Sequence, residues 1–232
     1  MKKNTHSIET KDKLVKTAMA LFYRNGFDKT SVAEIVKQAK VSKGAFYHYF
    51  DTKIDILRSI ANAKARELTG VIQKIVDNQK LNAIEKFNQV IREAQMFKLA
   101  NVSEHMQIYK ITENAENVRL KKEMMQAVAL VISPLLERIF QQGVKEKFFD
   151  TAYPKELAVT YFDIGLVLSQ PLVKLAMDLD KRPENAKIIK RQLLFFEDFL
   201  TRILGAKSGA IKFADLVYQN LLKNRKILKK YN

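Results

Sequence analysis

Between Asn25-Gly26 and Lys53 the chain carries two helix stops and two helix starts, so close together that only short helices joined by tight turns fit. Gly26 can take the left-handed backbone that ends a helix, and Phe27 follows as the apolar residue that often packs back on the last turn. Thr30 or Ser31 caps the next helix, and Glu34 stands three residues beyond Ser31 as in a capping box. That helix, Val32 to about Ala39, stops where Lys40-Val41 turns the chain, and Ser42 can cap a third from Lys43 to about Tyr49. Two short helices with so tight a turn describe a helix-turn-helix.

The flanking periodicity is also helical. Leu14, Ala18, Leu21 and Phe22 fall at i, i+4, i+7 and i+8, one apolar stripe on a helix from about Ile8 to Arg24. From Lys53, the residues Leu57, Ile60, Ala61, Lys64, Leu68, Val71, Ile72 and Ile75 continue a helical period to about Val76. The remainder breaks at Lys80-Leu81-Asn82, near Ala100-Asn101, near Asn114, at Asp150 to Pro154, at Lys181 to Pro183 and at Gly205 to Gly209, which yields six more helices. Only 7 Gly and 4 Pro interrupt the chain, and no stretch shows the alternation of a strand. An all-α protein of about ten helices is predicted, with Pro134 and Pro171 kinking the helices that contain them.

Composition narrows the class further. Hydrophobic residues make up 47% of the 232, enough for a proper core. With no Cys there is no disulfide framework or thiolate metal site, and the first twenty residues carry charges where a signal peptide needs an apolar run. The longest apolar segments, Ala127 to Leu136 and Gly165 to Leu175, fall short of the roughly 20 residues of a membrane span. A cytoplasmic protein without a membrane span is expected. Three scattered His and no Gly-rich phosphate loop supply no nucleophile, acid-base pair or cofactor cradle, so neither enzyme activity nor a cofactor or metal is expected.

The net charge of +16 attracts polyanions, and its distribution is uneven. Residues 1–60 hold 12 Lys/Arg against 6 Asp/Glu, residues 205–232 hold 7 against 1, and the stretch between is nearly balanced. At the N-terminal end, Ser42, Lys43 and Gly44 leave the start of the third helix small, polar and positive, able to enter a major groove about 12 Å wide. A lysine there can pair with the N7 and O6 acceptors of guanine, which makes Lys43 the candidate for direct readout. Thr30, Ser31, Tyr47, His48 and Lys53 offer hydroxyl, imidazole and ammonium donors at helix ends, suited to phosphate oxygens.

Thr30-Ser31-Val32-x-x-Ile35, followed by Val41-Ser42-Lys43-Gly44-x-Phe46-Tyr47-x-x-Phe50-x-x-Lys53, resembles the TetR family signature over about 50 residues. Where that family usually has glycine in the turn, this chain has Lys40: either a residue with a side chain bears the left-handed position or the turn differs, and Lys40 can instead add a phosphate contact. The resemblance implies a helix-turn-helix domain at residues 1–52, a linking helix at 53–76, and a ligand-binding and dimerisation domain at 77–232. It also implies a homodimer, paired through helices at about 155–179 and 184–204, on a near-palindromic double-stranded DNA operator. The function expected is a transcriptional regulator, a repressor released by an unidentified small-molecule effector; the alternative is a structural, nucleoid-associated DNA-binding protein without an effector.

The C-terminal two-thirds is read more loosely. Val159, Phe162, Leu166 and Val173, then Leu193, Phe196, Leu200 and Leu204, form the apolar stripes assigned to the dimer's four-helix bundle. Asp163 either pairs across that interface or faces water at its edge. His105, Met106, Tyr109, Met124, Met125 and Tyr161 offer polarisable or hydrogen-bonding surface for a ligand, or serve as core filler. Ala214, Val217, Leu221 and Leu228 mark one face of a final basic helix bearing Lys223, Arg225, Lys226, Lys229 and Lys230, docked on the bundle or laid on an anionic membrane.

Overall fold

A computed structural model of the chain describes residues 2–113 and 118–230. Among them it forms ten α-helices and no strand: α1 (Lys2–Asn25), α2 (Val32–Ala39), α3 (Lys43–Tyr49), α4 (Lys53–Asp77), α5 (Ala83–Ala100), α6 (Val102–Glu113), α7 (Val118–Lys145), α8 (Pro154–Met177), α9 (Asn185–Ile203) and α10 (Ala214–Lys229). The breaks fall where turn residues cluster in the sequence, and the one expected near Asn114 lies outside the described residues. α1 starts earlier than Ile8, at Lys2, because its polar first turns carry no apolar stripe to announce them. Helices α7 and α8 run through Pro134 and Pro171.

The chain gathers into two compact units, Met1–Lys64 with Gln107–Ala127, and Ala65–Met106 with Val128–Asn232. In the first, α1, α2 and α3 pack on one another. The predicted α1 stripe of Leu14, Ala18, Leu21 and Phe22 is buried, as are Ile35, Val36 and Ala39 of α2, Phe46 of α3, and Ile56 and Leu57 of α4. Each such Leu, Ile or Phe contributes roughly 1.5–3 kcal/mol by leaving water, which is how helices as short as α2 and α3 persist.

The second unit is built on a core of Ile72, Ile75, Phe87, Val90, Leu136, Ile139, Phe140, Leu200, Leu204 and Ile211, with Phe149 closing it. Gly143 sits where any Cβ would collide with the Phe149 ring, so glycine is required there by close approach. The stretch Met124–Lys145 is long and apolar enough to cross a membrane, longer than the sequence reading allowed. Its Ile132, Leu135, Leu136, Ile139 and Phe140 are instead buried in this core.

Polar fasteners hold the ends of these helices. Buried Lys86 donates from Nζ to the Val76 carbonyl and to Gln142 Oε1, both at 2.7 Å. Glu197 Oε2 of α9 accepts from the Phe213 and Ala214 amides at 2.6 and 2.8 Å, so a carboxylate borrowed from another helix caps α10. α10 packs on α5, α8 and α9, burying Ala214 and Leu228 and leaving Lys223, Arg225, Lys226 and Lys230 exposed. The Lys229 side chain lies outside the described residues.

The stripes assigned to pairing need correction. Leu193, Leu200 and Leu204 are buried within the chain's own second unit and Phe196 packs against its core, so this face of α9 cannot meet a partner. Among the described residues, the large apolar side chains that face outward are Val159 and Val167 of α8 with Ile188, Leu194 and Phe195 of α9. Periodicity marks the apolar face of a helix but not what covers it, and α9 has two such faces. Phe162 of α8 also packs on the core, Val173 is half-buried, and the Leu166 side chain lies outside the described residues. Asp163 is exposed, one turn from both Val159 and Val167 on the same face.

Candidate nucleic-acid interface

The site is assembled by two serine caps and one left-handed lysine. Ser31, extended at φ −95°, accepts the Glu34 amide at 3.1 Å, and Ser42, at φ −75°, accepts the Ala45 amide at 3.0 Å. Between them Lys40 adopts φ 52° and ψ 46°, with its amide directed at the Lys37 and Val36 carbonyls. The left-handed turn position is therefore borne by a residue with a side chain. The Glu34 carboxylate is turned to the Asn25 side-chain amide, 3.0 Å away, which ties the end of α1 to α2. The spacing from Ser31 places Glu34 in a capping box and does not announce this bond, because nine residues separate the pair.

Phe46 and Phe50 point inward and are buried, their rings 5.9 Å apart. The opposite edge of α3 is thereby turned outward and carries Lys43, Gly44, Tyr47 and His48, all exposed. Ser31, Lys40 and Ser42 are exposed as well. A Cβ on Gly44 would meet only the Ser42 hydroxyl oxygen, at 3.8 Å, so the fold itself does not require glycine here. Lys43 Nζ stands 5.9 Å from the centroid of the Tyr47 ring, within the range of a cation–π contact.

Thr30 and Lys53, expected to offer donors to phosphate, spend them inside the protein. Thr30 is 1% exposed and its hydroxyl donates to the Gly26 carbonyl at 2.8 Å. Lys53, the first residue of α4, is half-buried, and its ammonium donates to the carbonyls of Phe27 at 2.5 Å, Asp28 at 3.1 Å and Thr30 at 3.0 Å. Burial lowers the Lys53 ammonium below the usual lysine value, with the Asp28 charge pulling the other way. The reason is structural: the loop from Gly26 to Thr30 exposes carbonyls that need donors, and sequence spacing does not reveal where they converge.

At the start of α4, Asp55 Oδ2 accepts from both the Thr52 amide and the Thr52 hydroxyl at 2.8 Å, and Arg58 bonds the other carboxylate oxygen at 2.9 Å. Burial pushes this carboxyl up, but the bonds from Thr52 and Arg58 outweigh it and hold Asp55 below the usual carboxylate value. This cap was not read from the sequence.

The residues proposed to meet a ligand divide between the two units: Tyr109, Met124 and Met125 belong to the first, and His105, Met106 and Tyr161 to the second. Met106 and Met124 are buried. His105 lies edge-on to Phe97 at 6.4 Å, and the Tyr161 ring sits among Phe87, Phe162 and Phe196, with its hydroxyl pushed up to about 12 by burial. Tyr161 is thus part of an aromatic cluster at the core of its unit.

Comparison with known proteins fits this geometry. Residues 14–60, which span the second half of α1, α2, α3 and the start of α4, match the family of bacterial regulatory proteins called the tetR family. The uncharacterized HTH-type transcriptional regulator YuxN of Bacillus subtilis (strain 168) is 48% identical over 56 residues, 24% of this chain and 19% of that protein. The HTH-type transcriptional regulator QacR of Staphylococcus aureus (strain Mu50) is 42% identical over 52 residues, 22% of this chain and 28% of that protein. The matched stretches thus span less than a third of either relative. In overall fold the chain is similar to SmeT in complex with triclosan, with a TM-score of 0.60 at 18% identity over 88% of this chain and 95% of that one. It is also similar to RolR in complex with resorcinol, with a TM-score of 0.53 at 15% identity over 94% and 95%. The region that carries the helix-turn-helix thus matches the tetR family of bacterial regulatory proteins, and the fold along the chain is similar to that of SmeT and RolR.

Proposed function

We propose that this protein is a sequence-specific DNA-binding transcriptional regulator, a repressor that holds a near-palindromic operator as a dimer and is released by a small-molecule effector. The observation that carries the reading is the outward edge of α3, where Lys43, Gly44, Tyr47 and His48 stand exposed above a buried Phe46. In this reading Lys43 contacts base edges, and Ser31, Lys40, Ser42, Gly44, Tyr47 and His48 seat the helix against the backbone. Lys40 takes the place of the expected glycine without leaving the surface, in keeping with a phosphate contact.

A dimer follows from the need to present two such helices about one DNA turn apart. The outward apolar residues of α8 and α9 are the surface suited to it. An effector is supported by the shared fold of RolR with resorcinol and SmeT with triclosan. Ligand binding would act by favouring a dimer whose recognition helices no longer match the groove spacing.

The test is in vitro selection from random duplex DNA near physiological salt. Recovery of a near-palindromic motif, with binding weakened by a small-molecule screen hit, supports the reading. Enrichment of no motif reduces the protein to a general polyanion binder and rejects it.

A further inference from the structure

The loop from α1 to α2 turns a run of carbonyls toward side-chain donors, and one side chain supplies most of them. The Thr30 hydroxyl serves the Gly26 carbonyl, and the Lys53 ammonium serves those of Phe27, Asp28 and Thr30. An ammonium has three N–H donors and no acceptor, so this one is fully engaged by the protein. The same ammonium lies 4.4 Å from the centroid of the Phe27 ring, which in turn stands at 4.9 Å from the ring of Phe22 in α1. A cation bonded to three backbone oxygens and covered by an aromatic face is poorly placed to reach a phosphate without dismantling the loop.

We infer that Lys53 is a latch, a positioning residue that fastens the first turn of α4 to the loop entering α2 rather than a ligand for DNA phosphate. The inference rests on the DNA-binding reading only for its consequence, not for its geometry. Thr30, the last carbonyl held, directly precedes Ser31, whose side chain and carbonyl start α2 by accepting the Glu34 and Ile35 amides. α2 in turn packs on α3. An axial shift of α4 by the length of a hydrogen bond would break three bonds at once or drag the loop and α2 with it. Lys53 therefore makes the position of α4 and the position of the recognition helix one variable.

Two variants separate a latch from a phosphate ligand. Lys53→Met keeps the stem against Phe27 and deletes the ammonium; Lys53→Arg keeps the charge but replaces three convergent donors with a planar fork. Backbone amide exchange of the free protein comes first, because it needs no DNA: the Thr30, Glu34 and Ile35 amides are expected to exchange faster in both variants, while those of α5 are unchanged. Binding to a mixed-sequence duplex is then measured against salt concentration. Lys53→Met is expected to weaken binding by a common factor of roughly tenfold at every salt concentration, the equivalent of about one charged hydrogen bond, with the slope unchanged. Amide exchange that stays at the wild-type rate in both variants overturns the latch. So does a salt slope that becomes shallower by about 0.9 in Lys53→Met, the change expected when a lysine that neutralises one phosphate is removed. Failure of the wild-type protein to bind any duplex would reject the regulatory function while leaving the exchange result to decide the latch.

Discussion

The Lys43 ammonium lies 5.9 Å from the centroid of the Tyr47 ring, one turn further along α3, so two exposed side chains of the outward edge steady one another. Neither is needed to fill the core, since Phe46 and Phe50 do that from the other side. Lys43→Ala is therefore expected to leave the unfolding free energy within about 0.5 kcal/mol of the parent, as surface changes do. Its base preference should flatten at one position of the selected motif, a loss of about 1–3 kcal/mol in discrimination. Repeating the in vitro selection with the variant checks this; an unchanged motif would move base reading to another residue.

Lys40 occupies the left-handed region at φ 52°, where a Cβ is crowded by the neighbouring carbonyl. Relieving that crowding is worth roughly 1–2 kcal/mol, and the added freedom of glycine in the unfolded chain takes back about 0.5–1. Lys40→Gly is thus expected to stabilise the protein by about 0.5 kcal/mol in urea titration while weakening DNA binding and reducing the salt slope. A variant less stable than the parent would show that the lysine side chain contributes packing that its exposure does not suggest.

Glu197 caps a helix to which it does not belong. Removing it in Glu197→Ala leaves the Phe213 and Ala214 amides without their carboxylate, at an expected cost of about 1–3 kcal/mol. Glu197→Gln keeps an acceptor oxygen and should recover part of that loss. Amide exchange within α10, compared with α5, tells whether the loss is local to the cap.

How far the sequence reveals this fold depends on the range of each interaction. Helices, breaks and the serine caps are set by residues three or four apart, and Ser31, Ser42 and Gly26 announce them directly. The outward edge of α3 follows from the same period once Phe46 and Phe50 are placed inside. Bonds that close over long separations are not announced: Lys53 reaching Phe27, Glu197 reaching Phe213 and Lys86 reaching Val76 all depend on where helices meet. The choice of Leu193 rather than Leu194 as an interface residue fails for a similar reason, since adjacent apolar residues on α9 serve different neighbours and only packing tells them apart.

Asp55 gives a pH dependence with a defined sign. Its carboxyl is held below the ordinary value in the folded protein by Thr52 and Arg58, so the unfolded chain takes up a proton first as pH falls. The stability it contributes is present above the unfolded value of about 3.9 and is lost as pH falls through the lower folded value. Asp55→Asn should therefore be less stable than the parent at pH 7, with the gap closing as pH drops below about 4. A gap that stays constant down to the acid transition would mean that the cap acts through shape and not through charge.

The two faces of α9 make opposite predictions for neighbouring residues. Leu193 is 2% exposed and Phe195 is 60% exposed, while Val167 of α8 is 71% exposed. Truncating Leu193 to Ala opens a cavity inside one chain and should cost about 2–5 kcal/mol of stability. Phe195→Glu and Val167→Glu bury nothing in the single chain, so each should fold with secondary structure intact, yet place a charge in the surface proposed for pairing. Sedimentation is expected to show these two variants at half the mass of the parent, with affinity for a near-palindromic duplex falling far more than affinity for a single half-site. A parent that sediments as a single chain, or glutamate variants that still pair, would require the two recognition helices to be brought together by some other surface.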